Sequence, residues 1–303
     1  MPIKRVISAL VVLLLVCVPV RAQTLVCGPA SRPPVMDASP EDACWQDAMI
    51  ATDFSVLGSG GTERAFRQTT VRAAWDEDAL YLHAILLEPD PASITAQVSE
   101  RDGETWMEDA LEVFLQPDPA APDRLHFIVN ARGVLYDERN EDAGYDAHAR
   151  VQARIGEQAW HVEMAIPWAD LSGAPPRTGD EWGFNVGREH RPAEPQEWST
   201  WAPLKPDEVK FAHPELFGRL RFADQPEPGR ASKLTLPEGL AVNPDFTDLA
   251  EGKPAGWRLG GHSSFGEIAP MSRHYAVRND GDYGIASQPL DVPVEAGQVF
   301  TVF

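Results

Sequence analysis

Three kinds of side-chain grouping in this chain of 303 residues are of types that can do chemistry. The acidic runs Asp76-Glu77-Asp78 and Asp137-Glu138 with Asn140-Glu141-Asp142 offer the oxygen ligands that calcium prefers, though neither has EF-hand spacing. No metal ligand is assigned, and no cofactor is expected beyond an allowance for structural calcium. Glu108 and Glu112 are the carboxylate pair that a glycosidase dyad would need, but no catalytic motif flanks them. GxSxG, P-loop, HExxH and GxGxxG patterns are missing in any supporting context, and His161-Val162-Glu163 has no downstream Pro-Cys-x-x-Cys. The chain is therefore not read as an enzyme. The third grouping is aromatic. Trp106 follows Asp102-Gly103-Glu104-Thr105, a polar, glycine-containing approach that suits an exposed ring. A flat exposed ring can stack on an apolar ligand face.

Short apolar runs separated by Pro, Gly, Asp and Asn surround these residues. Thr69–Trp75 and Leu80–Leu86 flank the acidic turn at 76–79, and Asn130-Ala131-Arg132-Gly133 marks another turn. In Trp160–Ile166 the residues Trp160, Val162, Met164 and Ile166 alternate with His161, Glu163 and Ala165, the period of a strand with two distinct faces. Helical periodicity is almost absent. The spacing predicts an all-β, antiparallel β-sandwich over residues 23–223. A polar, proline-rich linker at 224–233 separates it from a second, partial β unit at 234–303, and the apolar end Val299–Phe303 reads as a cut inside that unit. Trp45, Trp75, Trp160 and Trp168 sit in apolar strand patterns and are expected in the core.

Residues 1–22 read as a secretory signal peptide: Lys4 and Arg5, an apolar Val6–Val20, then Val20-Arg21-Ala22 before cleavage. The apolar stretch is shorter than the roughly 20 residues that a membrane span requires. Secretion or a periplasmic or envelope location follows. Cleavage leaves Cys27 and Cys44, which an oxidising compartment is expected to join as a disulfide. With 26 basic and 46 acidic side chains and a net charge of -20, the protein is a poor partner for nucleic acid or an anionic membrane surface.

The order of segments then carries a resemblance. Val35-Met36-Asp37, Val71–Asp76, Trp106-Met107-Glu108-Asp109-Ala110-Leu111-Glu112, Phe127–Asn130, Trp160–Glu163 with Ile166-Pro167-Trp168, Trp198-Ser199-Thr200-Trp201 and Phe217-Gly218-Arg219-Leu220 follow one another across residues 35–222. This region resembles the family 9 carbohydrate-binding modules of the DOMON-like β-sandwich superfamily. The resemblance implies a sugar held between two rings, Trp106 and a second falling at Phe211, with Glu112 and Asn130 as polar partners. Trp198 and Trp201 flank Ser199-Thr200 near that site, and one of the two is expected to border it, with Trp201 taken as the site residue. The family's sugar-contacting Arg, two residues before the Asn, is replaced here by Ile128. The implied role is a secreted, non-catalytic module tethering a larger protein to a xylan- or cellulose-like β-glycan during polysaccharide breakdown. Any hydrolase domain would lie beyond this chain. Residues 234–303 more loosely resemble the opening strands of jelly-roll carbohydrate-binding modules, through Asn243-Pro244-Asp245-Phe246 and Pro254-Ala255-Gly256-Trp257. Two other readings go with the fold: an envelope or sensory interaction module without sugar binding, and a haem-b domain using ligands such as His126, Met164 or Met107.

Overall fold

The computed structural model describes residues 23–88, 90–191 and 196–231, together with the strands at 249–250, 253–254, 258–267 and 275–287. The signal-peptide span 1–22 lies outside the described residues, as does most of the second unit expected at 234–303.

Alternation of apolar and polar residues builds fourteen strands in the first unit. They are β1 (Thr24–Pro29), β2 (Ile50–Ala51), β3 (Ser55–Val56), β4 (Thr69–Trp75), β5 (Ala79–Leu87), β6 (Ala110–Gln116) and β7 (Leu125–Asn130). They continue with β8 (Leu135–Arg139), β9 (Arg150–Ile155), β10 (Ala159–Pro167), β11 (Glu181–His190), β12 (Glu197–Thr200), β13 (Gly218–Phe222) and β14 (Arg230–Ala231). Two single-turn helices interrupt them, α1 (Ala43–Gln46) and α2 (Trp168–Leu171). Beyond them, the strands Leu249–Ala250 and Lys253–Pro254 pair with each other, and Arg258–Glu267 pairs with Tyr275–Ser287.

Two layers face each other. The first runs β8-β7-β6-β11-β13, with β12 and β3 continuing from β11; the second runs β4-β5-β10-β9, with β2 and β14 beside β4. Strand β1 joins them by changing sheet along its length. Thr24–Cys27 pairs with β13, and Gly28-Pro29 pairs with β4. Both pairings are parallel, as is β14 with β2, so the expected antiparallel sandwich is closed by three parallel contacts.

The core lies between the layers. Leu111, Val113 and Leu115 of β6 and Phe127 and Val129 of β7 meet Leu80, Leu82 and Leu86 of β5 and Trp160, Val162, Met164 and Ile166 of β10. Each large side chain removed from water contributes about 1.5–3 kcal/mol. Trp160 and Trp168 enter this core as expected, with Trp75 partly buried against it. Trp45 does not enter it; it belongs to a second cluster with Ala74, Tyr81 and Ala165 on the outer face of the second sheet. That cover buries His161 and Glu163 as well, so the polar half of the β10 alternation does not face solvent.

The expected disulfide is absent: Cys27 and Cys44 are both free thiols. Cys27 points from β1 into the core between the sheets, whereas Cys44 packs beside the outer cluster around Trp45. The sheet stands between them. The expected linker is also partly built into the fold. Gln225 and Pro226 lie against the α-carbon face of Gly28, and Arg230-Ala231 adds a strand next to β2. Among the described residues no helix is long and apolar enough to cross a membrane.

Candidate functional site

Residues of β6, β7, β8 and β11 that do not enter the core line up on the outer face of the first sheet. Cross-strand register sets them in rows. Tyr136, Ile128, Glu112 and Gly187 form one row; Glu138, His126 and Phe114 form the next; Glu189 pairs with Trp198 of β12 in a third. The segment Glu208–Ala212 closes one side, and together they line a groove of about 760 Å³.

The floor is aromatic under a polar chain. Phe114, Phe211 and Phe217 cluster, with Leu57 and Trp198 packed on them. The His126 ring lies nearly parallel to Phe114, with centroids 4.1 Å apart. His126 Nε2 is 2.8 Å from Glu112 and its Nδ1 3.3 Å from Glu138, which also accepts from the Tyr136 hydroxyl. Glu189 accepts from Arg191 at 2.7 Å and sits beside Glu112.

These contacts set the charges. Burial first, and then the Glu112 carboxylate, push the Glu189 carboxyl up to about 8, against the pull of Arg191. Burial would depress His126, but its bonds to Glu112 and Glu138 raise it overall. The same imidazole lowers Glu138. At neutral pH the floor is a run of proton-sharing donors and acceptors, which suits hydroxyl groups because each of them both gives and takes a hydrogen bond.

Two rings stand at the groove's sides. Trp106 rides a 3₁₀ turn, Thr105–Met107, and meets Tyr136 edge-on with centroids 5.0 Å apart. Trp198 is half-buried across the groove, with the Arg191 guanidinium 5.2 Å from its ring centre. Four strand spacings separate β8 from β12, about 19 Å.

The structure brings Trp106, Glu112 and Phe211 together on this groove and corrects the other two assignments. Asn130 is 0 % exposed. Its amide donates to Glu108 and to the Val98 carbonyl and accepts from the Arg132 and Val134 N–H groups. Glu108 in turn accepts from the Gln97 and Val98 N–H groups. Asn130 therefore anchors the 97–108 loop that carries Trp106 rather than facing a ligand, and Glu108 has no free edge for a dyad with Glu112. Trp201 is likewise 0 % exposed, donating from Nε1 to the Ala231 carbonyl while its ring lies over Gly218. The bordering ring is Trp198. Phe211 is buried to 5 % exposure, so it is floor rather than one jaw of a sandwich.

His126, Tyr136, Glu138, Glu189 and Arg191 were not singled out for this face by sequence. The signal was the period of two: once Phe127 and Val129 face the core, His126 and Ile128 must face the groove.

Other candidates disperse. Asp76 uses its carboxylate within its own turn, accepting from the Asp78 and Ala79 N–H groups and the Tyr81 hydroxyl. Asp137 is buried against Arg101 and the Ala147 N–H. His126 lies on the groove and Met164 in the core, on different faces, so they do not converge as axial ligands. Glu88, Asp109 and His190 bring three ligand-type atoms within 4.8 Å of one another. Arg67 and Arg188 already pair with Glu88, and Asp109 accepts from the Thr95 N–H.

The carbohydrate family 9 binding domain-like family model matches residues 36–225. No curated protein matches the chain. Among solved structures, a Bacteroides uniformis protein provisionally described as carbohydrate-binding aligns at 19 % identity and TM-score 0.54, covering 66 % of this chain and 99 % of its own. A family 9 module from Caldicellulosiruptor kristjanssonii aligns in its cellotriose complex at 17 % identity and TM-score 0.49, covering 67 % of this chain and 95 % of its own. In its glucose complex the values are 17 %, 0.48, 67 % and 97 %.

Proposed function

The chain belongs to the carbohydrate family 9 binding domain-like family, and on that premise we propose that the groove on the first sheet binds polysaccharide without transforming it. The observation that carries this reading is the pairing of two partly exposed indoles, Trp106 and Trp198, with a floor of hydroxyl-matching groups between them. Stacking removes the apolar sugar face from water, while Glu112, His126, Glu138 and Glu189 replace the water lost from its hydroxyls. The groove lining runs across the sheet from Tyr136 and Glu138 of β8 to Trp198 of β12, about 19 Å of strand spacing, a length that suits several consecutive sugars of a β-glycan rather than one end residue.

Export through the segment 1–22 places this face outside the cytoplasm. There the module holds whatever is linked to it on xylan- or cellulose-like polymer, raising local concentration. Depletion from solution by insoluble cellulose and xylan tests the reading: the protein should leave the supernatant and be recovered with soluble oligosaccharide. Full recovery in the supernatant with both polymers would contradict it and favour a protein-interaction role.

A further inference from the structure

A second cluster lies on the far side of the sandwich from the groove. On the outer face of the second sheet, Arg72 of β4 is the register partner of His83 of β5, and the His161 ring of β10 lies 5.7 Å from that of His83. All three are enclosed, with exposures of 4 %, 0 % and 3 %. Nevertheless, Arg72 Nε and Nη1 and His161 Nδ1 have no hydrogen-bond partner, and His83 has only the Ala38 carbonyl near its ring. The adjacent carboxylate gives no relief. Glu163 is the register partner of His83, but it already accepts from the Asp37 and Ala38 N–H groups and from Trp45 Nε1. Arg154 of β9, the register partner of His161, brings a further positive charge to the rim.

Burial, and then the neighbouring cations, lower both imidazoles, His161 to about 4. Burial lowers Arg72 only to about 10, so at neutral pH it stays charged beside neutral His83, with neutral His161 one strand further on. An enclosed charge without a counterion is strongly destabilising. Among the described residues Arg188 is buried as well, and it donates to Glu88 and to the Leu87 carbonyl. Arg72 lacks that acceptor, and a neutral imidazole can turn its single N–H toward an anion.

We propose that Arg72, His83 and His161 form a binding site for a small oxyanion of the carboxylate or phosphate class, separate from the carbohydrate groove. The guanidinium supplies charge and the imidazoles supply neutral donors. The near-complete burial of all three side chains favours a small free ion over a group borne on a polymer. In a chain of net charge -20, anion capture here depends on this local cluster and not on the overall field.

The experiment is thermal unfolding of the full chain in sodium chloride at fixed ionic strength and neutral pH, with acetate or inorganic phosphate substituted stepwise. The expected result is a saturable rise in the midpoint of about 3 °C or more with at least one of these probes. That rise should be lost in Arg72→Met and kept in Arg132→Met, a basic residue elsewhere. Should Arg72→Met fail to fold, the wild-type imidazole signals in a ¹H–¹⁵N spectrum supply the readout. Saturable movement of the His83 and His161 resonances, with those of His148 and His213 still, supports the site. An equal midpoint in all three anions with unmoved imidazole signals would overturn it. A response that persists in Arg72→Met would overturn it too.

Discussion

The Phe211 ring lies flat against the α-carbon of Gly187: a β-carbon there would fall 2.9 Å from the ring's Cδ1. This approach lets the 208–212 segment fold down onto β11 and makes Phe211 part of the groove floor. Gly187→Ala should therefore push the ring off the sheet, costing about 1–3 kcal/mol in urea unfolding and weakening glycan binding together with stability. An unchanged unfolding midpoint would show that the ring is not held there.

Asn130 separates a positioning role from a ligand contact. Its side chain joins Glu108, Val98 and the 130–134 turn, so Asn130→Ala should cost about 2–3 kcal/mol by leaving buried partners unmet. Denaturant melts should show this loss even without sugar. A stable variant that has lost only its sugar affinity would restore Asn130 to the ligand face.

The groove's charges predict a pH dependence with a definite sign. Glu189 has its folded pKa at about 8, raised from 4.5. The folded state thus holds this proton more tightly. Its stabilising contribution is complete below about pH 4.5 and is lost as pH rises toward 8, by up to about 1.4 kcal/mol per unit. His126, also raised overall, adds a loss of the same sign starting near its ordinary range. Glu138 is lowered, so its contribution is present above about 4.5 and fades on acidification below that. Glu189→Gln should flatten the decline in stability between about pH 4.5 and 8; an unaltered slope would place that decline elsewhere.

Ile128 occupies the floor between its register partners Glu112 and Tyr136. A guanidinium there would meet Glu112 and offer donors to a sugar hydroxyl. Ile128→Arg should tighten binding of cello- or xylo-oligosaccharides about tenfold, since a charge-assisted hydrogen bond contributes about 1.5–3 kcal/mol. Unchanged or weaker affinity would mean that sugars do not reach this row.

Most of the fold was legible because strand period and turn residues are local signals. The β10 alternation put Trp160, Val162, Met164 and Ile166 in the core as read. What escaped was non-local. Nothing in the sequence around Cys27 and Cys44 reveals that the second sheet comes between them, or that Trp45 covers the sheet's outer face. At the groove, Trp106 and Glu112 were legible from loop composition and family likeness. Asn130 and Trp201 were misassigned because a motif position does not say which way a side chain turns once β7 and the strand after β11 take their register. His126, by contrast, was readable from the period of two that sends Phe127 and Val129 into the core.

Titration calorimetry of the full chain with cellohexaose and xylohexaose, run beside Trp106→Ala, tests the central claim most directly. Trp106 is partly exposed and touches Tyr136 at the groove edge, so its loss should leave the thermal midpoint nearly unchanged. The account predicts saturable heat with at least one oligosaccharide and its disappearance in Trp106→Ala. Heat that survives in the mutant, or no heat with either sugar in the wild type, would contradict it.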